Sequence, residues 1–91
     1  MTCKVLVTEA LAAEGLALLE RYADVTVRLN PRREELLAMV GEYDALIVRS
    51  ATQVTAEVLG AGTRLRVVGR AGTGVDNIDL EAATRRGVVV V

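Results

Sequence analysis

Ala45-Leu46-Ile47-Val48 is four apolar residues in a row, with Asp44 before it and Arg49 after it. A strand with one wet face alternates apolar and polar positions. An unbroken run is the pattern of a strand covered on both faces, which belongs in the middle of a parallel sheet. Parallel neighbours need crossover connections, usually helices, and the flanking sequence supplies them. Downstream, Thr55 caps a short helix from Ala56 to Leu59, broken by Gly60 and Gly62. Leu65-Arg66-Val67-Val68 is a fourth strand. Asp79 caps a helix from Leu80 to Arg86, with two arginines at its negative end and Gly87 as its stop. Val88 to Val91 is a fifth strand.

Upstream, Asn30-Pro31 reads as a helix start, because Asn caps and Pro fits the first helical position. Leu36, Leu37 and Val40 form its buried stripe, and Gly41 stands where it should stop. Val25-Thr26-Val27-Arg28-Leu29 alternates with period two, a half-buried strand suited to a sheet edge. Lys4 to Val7 is the first strand. Thr8 is expected to cap the next helix with Glu9 in its first turn, and Leu11, Gly15, Leu18, Leu19 and Tyr22 mark its inner face.

Strand and helix therefore alternate throughout, which predicts an α/β fold: a five-stranded parallel sheet with helices on both faces. The flavodoxin-like order 2-1-3-4-5 and a half-Rossmann order both fit. The weakly apolar second strand favours the first, because it belongs at an edge. Leu46, Ile47, Val67 and Val68 are the expected buried centre. The unfinished apolar run from Val88 to Val91 reads as part of something longer.

Ninety-one residues make one domain. Hydrophobic residues are 52% and charged residues 25%, a well-filled globular composition rather than a disordered one. Eleven basic residues against twelve acidic ones give net charge −1, so no charge excess points to nucleic acid or an anionic membrane. No His is present, which removes the commonest general base and most zinc and haem sites. Cys3 alone cannot form an internal disulfide, and it precedes the first strand, far from any ligand site. The start reaches Glu9 after three core residues, too early for a secretory signal, and no apolar run approaches the ~20 residues of a membrane span. A cytoplasmic location is expected.

Ligands of open α/β sheets bind beyond the C-terminal ends of the strands. Two stretches there carry unusual residues: Arg49-Ser50-Ala51-Thr52, and Gly69-Arg70-Ala71-Gly72-Thr73-Gly74-Val75-Asp76-Asn77. The second fails as a dinucleotide fingerprint. Asn77 stands where the third glycine is needed, and the helix cap, Asp79, lies beyond the motif. Gly72 and Gly74 fit an anion-binding turn, since they allow positive φ and close backbone approach. A turn that only redirects the chain would use the same glycines. Arg49 and Arg70 each follow an apolar strand and should stand at one rim, where guanidinium groups suit carboxylate or phosphate. Two surface arginines paired with Asp44 or Asp76 is the plainer alternative. Ser50, Thr52 and Thr73 add hydroxyl or backbone donors, or bond locally within their turns.

These same residues carry a resemblance. The stretches from Val48 to Thr55, from Val67 to Asp79 and from Leu80 to Val88 closely resemble the N-terminal substrate-binding domain of the D-isomer-specific 2-hydroxyacid dehydrogenases, in the form its phosphoglycerate dehydrogenases carry. The resemblance implies an NAD-binding domain that follows in sequence, bringing the glycine fingerprint and the catalytic Arg, Glu and His. It implies that residues 1–91 are the substrate-binding domain, inactive alone and binding no cofactor. In the complete enzyme, NAD would oxidise 3-phosphoglycerate to 3-phosphohydroxypyruvate, the first step of serine synthesis. By resemblance Arg49, Ser50 and Thr52 line the cleft, Arg70 lies near the substrate phosphate, and Gly72, Thr73 and Gly74 offer amides to its carboxylate. Another 2-hydroxy acid of the glyoxylate or hydroxypyruvate type, or a corepressor-like module of the same family, are the competing readings. A receiver domain is disfavoured, because Arg49 stands where its phospho-acceptor Asp would be. A partner domain and a returning C-terminal segment would cover apolar surface, so the isolated chain is expected to self-associate.

Overall fold

In a computed structural model, which describes residues 2–72 and 76–91, the chain forms a five-stranded sheet. The strands are β1 (Lys4–Val7), β2 (Asp24–Val27), β3 (Ala45–Val48), β4 (Val67–Arg70) and β5 (Val89–Val90). The helices are α1 (Ala13–Glu20), α2 (Arg33–Met39), α3 (Ala56–Ala61) and α4 (Leu80–Arg85), and one turn of 3-10 helix, Val40–Glu42, follows α2. The order is β2-β1-β3-β4-β5 and every pairing is parallel. This is the expected flavodoxin-like arrangement, with the unbroken run Ala45–Val48 in the centre and the alternating β2 at an edge.

The order fixes the layers. The chain steps one way from β1 to β2, then back across β1 to β3 and onward. Right-handed crossovers put α1 on one face and α2, α3 and α4 on the other. The core lies on the three-helix face, where Leu6, Leu46, Val48 and Val68 of the sheet meet Leu36, Val58, Leu59, Ala82 and Ala83 of the helices.

The opposite face departs from expectation. Ile47 and Val67 are only half-buried rather than buried. Alternation points them to the side of α1, and α1 lies beside β2, away from β4. No residue of α1 is buried, and Leu18 and Tyr22 are 54% and 75% exposed. Leu16 and Leu19 are the half-covered positions of α1, and Leu11 before it is half-covered as well; of the expected stripe, Gly15, Leu18 and Tyr22 are exposed.

Two helix starts also differ. Thr8 caps nothing: α1 begins at Ala13, behind Ala12, which makes no side-chain cap bond. Asn30 is not the cap of α2 either. It takes φ 48°, and the helix begins at Arg33, with the Arg32 N–H donating to Glu35 Oε1 at 2.9 Å. The two short downstream helices start as read. Thr55 accepts from the Val58 N–H at 3.2 Å and Asp79 from the Ala82 N–H at 3.0 Å. Asp44 sits at the other end of the sheet, where it accepts from the Lys4 N–H and pairs with Arg64.

Candidate functional site

The C-terminal ends of β1, β3 and β4 stand side by side, so the segments that leave them meet. The Thr8 N–H donates to Ile47 O at 3.1 Å, carrying the β1–β3 ladder one step past Val7. Glu9 then leaves the ladder and turns its carboxylate onto the loop after β3. Oε2 accepts from the N–H groups of Arg49 at 2.6 Å and Thr52 at 3.1 Å, and Oε1 from that of Ala51 at 3.0 Å. Successive amides aimed inward form a nest that favours an anion, and Glu9 fills it from within the chain. Burial pushes the Glu9 carboxyl up, but the hydrogen bonds from Arg49, Ala51 and Thr52 outweigh it and hold it below its ordinary value.

The Thr8 and Thr52 hydroxyls lie 2.8 Å apart beneath this clamp, and either can donate. Both threonines are buried. Thr52 is therefore committed inward through its N–H, its hydroxyl and its carbonyl.

Asn77 holds the same loop from the other side. Its Nδ2 donates to Arg49 O at 2.6 Å and Thr52 O at 2.7 Å, and its Oδ1 accepts from Arg70 Nε at 2.7 Å. The carboxamide has one sensible orientation: carbonyl oxygens only accept and a guanidinium only donates. Its own backbone is pinned by a single parallel bridge, Val54 to Ile78, with the Val54 N–H donating to Asn77 O at 2.8 Å and the Asp79 N–H to Val54 O at 2.9 Å.

Arg70 ends β4 directly across from Val48 of β3. It continues the face of Val68, is half-buried, and reaches Asn77. Arg49, one residue past Val48, turns the other way. Its Nη1 donates to Ala10 O at 3.3 Å, a long bond that a phosphate or carboxylate would outcompete. The two guanidinium groups thus rest on different partners, and what unites their segments is Asn77. Ser50 is exposed, and its N–H is not among those Glu9 takes. Gly72 is exposed with φ 133°, a conformation that requires glycine. Thr73 and Gly74 lie outside the described residues.

Glu9 and Asn77 are the residues that the sequence reading did not assign to the site. Glu9 looked like a first-turn helix acid, and Asn77 only like a missing glycine. A carboxylate directly after a central strand, at the point where strand order reverses between β1 and β3, was the available signal.

A groove of about 430 Å³ lies between the starts of α2 and α3, bounded by Asn30, Pro31, Leu36, Thr52 and Val58. Neither Arg49 nor Arg70 lines it. Among the described residues no group of three or more His, Cys, Asp or Glu side chains could hold a metal ion, and no helix is long and apolar enough to cross a membrane.

A five-stranded parallel sheet with helices on both faces and arginines at the ends of β3 and β4 is an α/β unit of the open-sheet class. The model of the D-isomer specific 2-hydroxyacid dehydrogenase catalytic domain matches residues 5–91, and the chain belongs to that family. It is 48% identical over 88 residues to the D-3-phosphoglycerate dehydrogenase of Synechocystis, covering 97% of this chain and 16% of that enzyme. It is 52% identical over 87 residues to that of Mycobacterium tuberculosis, covering 96% and 16%. The crystal structure of a Pyrococcus horikoshii protein superposes with TM-score 0.95 at 44% identity, over 99% of this chain and 27% of that one. An NAD+-bound 3-phosphoglycerate dehydrogenase from Entamoeba histolytica gives TM-score 0.86 at 26% identity, over 99% and 32%. The chain spans about a sixth of the length of the curated relatives it matches.

Proposed function

We propose that this chain is the substrate-binding domain of an NAD-dependent D-3-phosphoglycerate dehydrogenase, which oxidises 3-phosphoglycerate to 3-phosphohydroxypyruvate at the entry to serine synthesis. The observation that carries the reading is the rim itself. Arg49 and Arg70 lie on the ends of adjacent strands and are tied to one loop through Asn77, beside Gly72 at φ 133°. A substrate with two anionic ends suits it. Arg70 takes the phosphate, and Arg49 swings from Ala10 O to join it. On this reading Gly72, Thr73 and Gly74 offer amides to the carboxylate, and Ser50 lines the cleft. Thr52 supports the loop from inside.

The chain's own residues do not fit NAD. Asn77 stands where a fingerprint needs glycine, and its carboxamide is engaged by Arg49, Thr52 and Arg70. The dinucleotide is a ligand of a second domain, together with the groups that move the proton and hydride. Val89 and Val91 are 55% and 72% exposed, and with Leu18 and Tyr22 they leave apolar surface on this domain. On this reading the rest of the protein covers it, and the isolated chain self-associates through it. The location is cytoplasmic.

The test is NAD-dependent oxidation of 3-phosphoglycerate by the complete protein and its Arg70→Ala variant. A charge-assisted hydrogen bond is worth about 1.5–3 kcal/mol, so kcat/KM should fall roughly ten- to hundredfold. Arg70→Lys should restore part of it, because an ammonium lacks the planar fork. A complete protein that leaves 3-phosphoglycerate untouched but reduces glyoxylate would favour the other branch of the family.

A further inference from the structure

We propose that Asn77 is the positioning residue of this rim: by holding the Arg70 guanidinium in register with the Arg49–Thr52 loop, it sets the preference for a phosphorylated substrate over an unphosphorylated one. The inference rests on the reading of the rim as the substrate site, and adds to it a residue that touches no substrate.

The geometry is specific. Asn77 is 7% exposed, and among the described residues its three side-chain bonds go to the two arms of the rim. Its Oδ1 takes the Nε–H of Arg70, which sets the direction of that N–H and so restricts the planar guanidinium that carries it. Loosening that restraint would add to the rotamer freedom lost on binding and weaken the complex accordingly. Its Nδ2 takes the carbonyls of Arg49 and Thr52, so the loop and the arginine are held as one body. Glu9 completes the arrangement from the far side by occupying the N–H groups of Arg49, Ala51 and Thr52. Those amides are withheld from an incoming phosphate, which falls to the arginine side chains. Asn77 orients the Nε end of the Arg70 head.

A side chain that only closed a turn would affect every substrate alike. One that acts through Arg70 would not. The experiment is a double-mutant cycle in the complete enzyme with Asn77→Ala, Arg70→Ala and the double variant, assayed on 3-phosphoglycerate and on glycerate. Asn77→Ala should raise KM for 3-phosphoglycerate about tenfold while kcat changes less than about threefold, and leave KM for glycerate about where it was. The double variant should be no worse than Arg70→Ala alone, because the position of a missing guanidinium cannot matter. Losses that multiply, or that fall equally on both substrates, would overturn the proposal while leaving the site reading intact. An Arg70→Ala variant that is unaffected on 3-phosphoglycerate would sink the site reading, and the proposal with it. Should Asn77→Ala fail to fold, Asn77→Ser carries the cycle. It keeps a small polar group against the loop but is too short to reach the Arg70 Nε–H, so the same non-additivity is expected. A second readout uses the 91-residue chain itself. The Arg70 Nε–H should be protected from exchange in its proton–nitrogen spectrum, and Asn77→Ala should remove that protection. Protection unchanged in the variant would overturn the proposal.

Discussion

Glu9 shows how far one side chain can act from its place in sequence. Its carboxylate receives three N–H groups from residues 49–52, some forty positions away. Nothing in Val7-Thr8-Glu9-Ala10 names those partners, so the residue read as a helix acid. Thr8 was misread for the same reason: its amide extends the β1–β3 ladder and its hydroxyl meets Thr52, and neither partner is local. A carboxyl held below its ordinary value of 4.5 stabilises the fold above that value, and the contribution is lost as pH falls through the folded value. Glu9→Gln should therefore cost about 1–3 kcal/mol near neutral pH. The gap from wild type should close on acidification, which urea titrations between pH 7 and pH 3 would show. A gap that stays constant with pH would assign the loss to shape rather than charge. Gly72 offers a second residue-scale test. A side chain at φ 133° is strained whatever room it has, so Gly72→Ala should cost about 1–3 kcal/mol by the same unfolding measurement and weaken substrate use in the complete enzyme.

At the scale of elements, what was legible was local. Ala45–Val48 reads as a central strand because no polar residue interrupts it, and β2 reads as an edge because it alternates. Thr55 and Asp79 are legible as caps because each bonds an amide only three residues on. Replacing either with Ala should cost about 1 kcal/mol, and with Gly only a few tenths; chemical denaturation of the single variants checks both. Asn30-Pro31 looked equally local and was not a cap. Asn30 takes φ 48°, and its N–H donates to Thr8 O, drawing the segment along the end of β1 before α2 can begin. The half-covered Ile47 and Val67 had the same apolar signature as their buried neighbours. Only the position of α1 beside β2 tells the two faces of the sheet apart.

At the scale of the molecule, the sheet order brings three strand ends together, and the proposed anion rim rests on that adjacency rather than on any contiguous motif. The arginines are visible in the sequence because each follows an apolar run; the Glu9 clamp on the Arg49 loop and the Asn77 bond to the Arg70 side chain are not. Two expectations belong to the whole chain. Light scattering of the isolated 91 residues at rising concentration should show association, and a strict monomer throughout would argue against an interface on the α1 face. Calorimetric titration of the same chain with NAD should give no heat of binding in the micromolar range; a measurable site would return the glycine turn to the dinucleotide. The most direct measurement of all is the ratio of losses that Arg70→Ala inflicts on two substrates of the complete enzyme. If the rim reads a phosphate, kcat/KM should fall roughly ten- to hundredfold for 3-phosphoglycerate and change far less for glycerate. Equal losses for the two would contradict it.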